Sequence, residues 1–356
     1  MTDMKITQKE IKDNTYPNNI DQYDHYLALD WSMENMAISR LTSKMNKPKV
    51  IDVPSDLDNL KDYIKTLKGK KILTIEETTT SQWLFVELTD YVEKILICNP
   101  HRNRLLSEGP KTDKIDAGKL CLLLRNGMMK EVYHTTDSLY ELRILVSRYE
   151  DVIKSGVRLI NQKSAIYRAE NKSHKKDNIE RQNKIKKFVL MGLEEEIESY
   201  ETRKENFKKE FEKIKRKNKT LRNLCTIPGI GLVSSVVILS AVIEAERFKS
   251  PNHYFSYCGL VNHEKISGGK SYGRKKPRYS RRLKSVYRSA AVRSLQYDNP
   301  IKEYYEYLIM KKNIDEKKAR NSVARYIAKI SLAIMRDGTK YKGYESKENK
   351  LKVKAA

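Results

Sequence analysis

The sequence predicts an α/β layer with a mixed sheet, then a pair of long helices, then a mainly helical basic domain. Three observations predict it. Over residues 26–135, short apolar runs ending in a carboxylate alternate with stretches of helical spacing. A four-three apolar rhythm then runs through a highly charged stretch, 136–220, and from 221 to 340 helical patterns return around glycine-containing turns and a run of Lys and Arg. The flanks, 1–25 and 341–356, are a polar and a Lys-rich tail.

Composition narrows the function class. A chain of 356 residues has room for two or three domains and a substantial core. Its formal net charge of +25 creates a field that attracts polyanions, and nucleic acid leads a membrane surface as the partner. No apolar run approaches a spanning length and the first twenty residues are polar, so a soluble cytoplasmic protein with no membrane partner is expected. Cys98, Cys121, Cys225 and Cys258 form no C-x-x-C pair; they read as buried thiols and not as a zinc site or disulfide framework.

In chain order, Tyr26-Leu27-Ala28-Leu29-Asp30 is a buried strand ending in an acid, and 36–41 is its hairpin partner. Apolar residues at 57, 60, 64 and 67 predict a helix that Lys68-Gly69-Lys70 ends. Residues 71–76 repeat the buried strand and finish on Glu76, 83–92 is helical, and 95–98 is a third buried run. Next comes Lys111-Thr112-Asp113-Lys114-Ile115-Asp116-Ala117-Gly118, where acids at i and i+3 share one face at the mouth of a helix.

Asp30, Glu76, Asp113 and Asp116 thus fall at corresponding ends of elements, in the crevice where such sheets do chemistry. Converging carboxylates repel unless a cation lies between them, and hard oxygen ligands suit Mg²⁺ or Mn²⁺. Four of them can hold two ions roughly 4 Å apart and clamp both oxygens of a phosphodiester. The bland alternatives are a helix start with Asp113 as cap and Asp116 at the third position, Asp30 as a turn residue, and Glu77 as the functional acid in place of Glu76.

In the middle, Leu142, Val146, Tyr149, Ile153 and Ile160 form one seam, broken by Gly156, and Leu193, Ile197, Tyr200, Phe207, Phe211, Ile214 and Leu221 form another. Two long helices in an antiparallel hairpin or coiled coil follow, with the polar interval 171–187, including Lys172, His174, Lys175 and Lys176, at the tip. Such an arm serves as a spacer or as a dimerisation element.

The last domain opens on Cys225-Thr226-Ile227-Pro228-Gly229-Ile230-Gly231, a helix-hairpin-helix-like turn or a plain tight turn, whose Gly229 and Gly231 let backbone approach a phosphate. Residues 233–245 read as a buried helix. From 266 to 293 there are ten basic residues and no acid. Lys270, Arg274, Lys275, Lys276, Arg278, Arg281, Arg282 and Lys284 lead this run as nucleic-acid contacts, with Tyr272, Tyr279 and Tyr287 available for stacking. Ser267, before Gly268-Gly269, sits on a flexible loop beside cations that would stabilise a phosphoserine.

The order of Asp30, Glu76-Glu77-Thr78-Thr79, Asn99-Pro100 and Lys111-Thr112-Asp113-Lys114-Ile115-Asp116-Ala117 resembles the DEDD transposases of bridge-RNA-guided insertion elements. Their first domain is similar to Holliday-junction resolvases of the ribonuclease H fold. Gly259-Leu260, Ser267-Gly268, Gly273 and Ala290-Ala291 match the pattern of the family's second domain. Departures are Glu77 for a small Ala, Thr79 for Gly, Asn262 for Pro, and Lys276-Pro277-Arg278 within the basic run; Ser271 and Ser280 stand as alternatives to Ser267. The resemblance implies a transposase acting on double-stranded DNA, with Asp30, Glu76, Asp113 and Asp116 on Mg²⁺ and Ser267 as the nucleophile. It also implies a structured guide RNA, an inserted coiled coil, a homodimer or tetramer, and a site assembled from different protomers. The alternatives are a metal-dependent Holliday-junction or RNA nuclease that uses water, and a non-catalytic nucleic-acid-binding scaffold.

Overall fold

The computed structural model describes residues 22–99, 112–136, 138–171 and 183–343. The chain forms two compact units, Met1–Thr136 and Asp137–Ala356.

The first unit is a five-stranded sheet with helices on both faces. Strands β1 (His25–Trp31), β2 (Asn35–Leu41) and β3 (Lys49–Pro54) form an antiparallel meander, then β4 (Lys71–Glu76) and β5 (Lys94–Cys98) add in parallel on the far side of β1. The order β3-β2-β1-β4-β5 is mixed, because parallel pairs need a crossover whereas hairpins do not. Helix α1 (Leu57–Thr66) begins where the Asp56 carboxylate accepts the Asn59 N–H at 2.9 Å, and α2 (Ser81–Leu88) ends in a 3-10 turn, Thr89–Tyr91. The sequence-predicted helix over 83–92 is therefore displaced by two residues at its start and tightens over its last turn.

Strand alternation divides this unit's core in two. Leu27, Leu29, Leu73 and Ile75 point to one face and pack with Leu60, Ile64, Leu84 and Leu88 of α1 and α2. Tyr26, Ala28 and Ile72 point to the other and pack under α3 (Asp113–Arg125) through Leu120, Cys121 and Leu124. The Cys121 thiol donates to Tyr26 O at 3.1 Å, which pins α3 over the middle of the sheet. The sequence reading missed β3, although Val50-Ile51-Asp52-Val53 carries a strand composition.

In the second unit, α4 (Glu141–Arg168) and α5 (Lys184–Lys217) run antiparallel. Tyr149 meets Phe207 and Phe211 at one end, with ring centroids 5.9 and 5.2 Å away, and Lys163 meets Glu194 at 2.5 Å towards the other. Gly156 does not break α4. A Cβ there would stand 2.3 Å from the Tyr200 ring, so glycine is the residue that admits the tyrosine at the helix contact. Of the expected tip, Lys172, His174, Lys175 and Lys176 lie outside the described residues.

Asn218 alone joins α5 to α6 (Lys219–Leu224): it ends the first helix and, by accepting the Leu221 N–H at 3.0 Å, caps the second. The rest is α7 (Leu232–Val242), α8 (Pro251–Tyr257), a two-stranded ribbon of β6 (His263–Ser267) and β7 (Lys270–Lys275), then α9 (Arg281–Ser294), α10 (Pro300–Met310) and α11 (Glu316–Asp337). Leu224, Ile238, Tyr254, Tyr287 and Ile327 are among the residues of its core. Cys98, Cys121 and Cys258 are buried thiols, but Cys225 is only half-buried. Among the described residues no helix is long and apolar enough to cross a membrane.

Candidate active site

Two parallel strands set the first pair of acids. Leu29 of β1 is in register with Ile75 of β4, and Asp30 and Glu76 each follow by one residue. Alternation places both on the α3 side of the sheet, at the carboxyl ends of their strands. The second pair comes from the helix that covers that face. Thr112 Oγ1 accepts the Ile115 N–H at 3.3 Å and its carbonyl accepts the Asp116 N–H at 2.9 Å. Thr112 is thus the cap, Asp113 the first helical residue and Asp116 the fourth, where the sequence reading had offered Asp113 as cap. Buried Ala117 and Gly118 bring this end of α3 close to the sheet: a Cβ on Gly118 would stand 3.6 Å from both Pro48 and Val50.

The electrostatics connect the four. The Asp30 carboxyl is pushed up to about 6, first by burial and then by the negative charges of Asp113, Glu76 and Asp116. All three other acids therefore act on Asp30. Glu77 is exposed beyond the strand end, with its N–H donating to Cys98 O at 3.0 Å. Among the described residues no group of three or more Asp, Glu, His or Cys side chains is arranged to hold a metal ion. The acids are gathered around Asp30 without closing into a ligand set. Their chemistry nonetheless fits a hard divalent cation, since four clustered anionic oxygen donors are what such an ion neutralises.

Ser267 is on the β6–β7 ribbon and not on an irregular loop. It pairs with Lys270 across Gly268 and Gly269, both at positive φ (+56° and +76°), as a tight two-residue hairpin turn requires. A Gly-Gly pair between polar alternating residues was the missed signal. Of the alternative serines, Ser271 pairs with Ile266 in β7, while Ser280 caps α9 by accepting the Leu283 N–H at 3.3 Å.

The basic run divides by environment. Lys270, Arg274 and Lys275 lie on exposed β7, Lys276 and Arg278 on the link to α9, and Arg281, Arg282 and Lys284 in its first turn. Arg282 is not available as a plain phosphate contact: its Nε pairs with Glu150 of α4 at 2.8 Å and Nη2 donates to Ser147 at 3.3 Å. Lys284 lies over the Tyr279 ring, 4.3 Å from its centroid. Tyr287 cannot stack on a base; it is fully buried and its hydroxyl is 2.5 Å from that of Tyr254. Tyr272 is 68% exposed. Gly229 donates its N–H to Tyr297 Oη at 3.0 Å and packs against the Ala290 carbonyl, so that amide is committed within the fold. Gly231 opens α7 without a side-chain cap.

A family model for DEDD transposases of the IS110 type matches residues 27–168, and one described as transposase IS116/IS110/IS902 family matches 221–306. The chain belongs to the IS110 transposase family. The first match contains all four acids and the second contains Ser267. The chain is also similar to the insertion element IS110 uncharacterized 43.6 kDa protein of Streptomyces coelicolor, at 29% identity over 127 residues. That match spans 33% of this chain and 29% of the relative, less than two thirds of its length. In an IS110-family chain the sheet order fits the ribonuclease H-like arrangement expected from the sequence.

Proposed function

We propose that this IS110-family chain is the DNA transposase and recombinase of an insertion element, cutting and rejoining DNA by serine attack on the phosphodiester. The observation that carries the reading is the action of Asp113, Glu76 and Asp116 on the Asp30 carboxyl, since such a concentration of acid suits a cation-assisted phosphoryl transfer. Asp30, Glu76, Asp113 and Asp116 would hold Mg²⁺, with Mn²⁺ a workable substitute. When bound, the ion polarises the phosphoryl oxygens and shields the substrate from the acids. Ser267 Oγ forms the new bond to phosphorus, its proton passes to a base or water, and the displaced strand oxygen leaves and is protonated. Lys270 and its basic neighbours offset the charge on the phosphate.

The same reading assigns the ribonuclease H-like domain to 26–135, a coiled-coil linker to 136–220 and the serine-bearing domain, with its helix-hairpin-helix-like turn, to 221–340. Double-stranded DNA is the substrate, a structured RNA is the guide, and the coiled coil supports a cytoplasmic homodimer or tetramer.

Incubating full-length protein with labelled DNA and Mg²⁺, followed by denaturing electrophoresis, tests the chemistry. Wild type retains label on the protein and Ser267→Ala does not. Cleavage without any adduct in wild type would replace this reading with a water-using nuclease.

A further inference from the structure

We infer that the cleft between the β6–β7 ribbon, α9 and α11 seats the sugar–phosphate backbone of one nucleic-acid strand and grips it without regard to sequence. The inference rests on the proposed action on nucleic acid and adds to it a binding site that includes α11, far from the basic run in sequence.

Six cations line this cleft of about 740 Å³: Arg274, Lys276, Lys284, Arg288, Lys318 and Arg325. The only acid lining it is Glu264. Its volume is that of a pocket enclosing a drug-sized ligand, so it takes a short stretch of one strand and not the width of a duplex. Like charges crowded in a cleft repel one another, and a polyanion relieves that repulsion.

Pairing separates these cations from their neighbours. Among the described residues none of the six is in an ion pair, whereas Arg282 pairs with Glu150 and Arg320, on the same helix as Lys318, pairs with Glu316 at 2.8 Å. Two of the cleft's three guanidinium groups are held by neutral acceptors instead. Arg288 Nη2 donates to Asn321 Oδ1 at 3.4 Å, and Arg325 Nη2 donates to Ser322 Oγ at 3.0 Å. These contacts orient the groups and leave their charge and remaining donors for phosphate oxygens.

The α11 wall follows from helical spacing, since Lys318, Asn321, Ser322 and Arg325 stand at i, i+3, i+4 and i+7 on one face. No aromatic ring lines the cleft, so bases have no stacking platform there and the grip is to backbone. Glu264, the cross-strand partner of Arg274, is three residues before Ser267 on β6, about 10 Å along the strand. A strand lying in the cleft can therefore continue along the ribbon to the serine.

Fluorescence anisotropy of the full-length protein with labelled single-stranded DNA of two unrelated sequences, single-stranded RNA and duplex DNA tests the site. The variant Lys318→Gln/Arg325→Gln is compared with Lys317→Gln/Arg320→Gln, which removes the same charge from the same helix outside the cleft. We expect the cleft variant to bind at least one type of single strand about 10-fold or more weakly near 0.1 M salt. Its log–log salt slope should fall by about 1.4, equally for both DNA sequences if DNA is the strand seated, with melting temperature unchanged. Loss with DNA alone, RNA alone or both identifies the strand that is seated. Equal loss in the control variant, an unchanged slope, or loss confined to one DNA sequence would overturn the site while leaving the transposase reading in place. Wild type that binds none of the probes would overturn both.

Discussion

Asp30 and Glu76 sit side by side at the carboxyl ends of parallel β1 and β4, one residue past the register pair Leu29 and Ile75. Because the Asp30 carboxyl is raised from 3.8 to about 6, the folded state favours its protonated form. The stability it contributes is full below about pH 4 and is lost as pH rises through about 6. Metal-free Asp30→Asn protein should therefore lack this decline and melt a few degrees above wild type at pH 7.5, while losing Mg²⁺-dependent strand cleavage. A variant melting below wild type at that pH would count against the acid cluster.

Asp113→Asn and Asp116→Asn change charge and little else at a helix start whose cap is Thr112. Each should lower strand cleavage on the order of 100-fold or more, with melting in metal-free buffer shifted by only a few degrees. Parallel loss of activity and of folding would show that the acids serve α3 and not the reaction.

Filling the contact between α4 and α5 should be costly. Gly156→Val pushes side-chain carbons into the Tyr200 ring and should destabilise the protein by about 1–3 kcal/mol in urea unfolding. Adding Tyr200→Ala should recover part of that loss, giving a coupling energy that additive mutations would lack.

Arg282→Gln should act on stability more than on binding, because its partner is Glu150 and not a ligand. About 1 kcal/mol of stability should be lost, and the salt slope for nucleic acid should change by far less than on removing Lys318 and Arg325. A slope change of the same size would mean that the pair opens to admit phosphate.

The first unit was largely legible in the sequence because strand and helix periods differ and two of its strands, β1 and β4, carry an acid at their carboxyl ends. Tyr26-Leu27-Ala28-Leu29 announces a buried strand, and the spacing of Asp113 and Asp116 announces a shared helical face. β3 was less visible because none of its residues is buried, half of them being exposed, and it closes on Pro54 at the sheet edge. The β6–β7 ribbon has no apolar face at all, so hydrophobic pattern could not reveal it and only the Gly-Gly turn could. The role of Arg282 depends on Glu150, 132 residues away in sequence, and Lys318 lines one cleft with Lys284, 34 residues away; no local pattern encodes such meetings.

Asn218 leaves no slack between the long helix α5 and the short helix α6, whose Leu221 and Leu224 are fully buried. A flexible linker would absorb a swing of the helical arm, as a rope absorbs a twist. A single shared cap residue has no such give, so the direction of α5 and the seating of α6 among buried residues are set together.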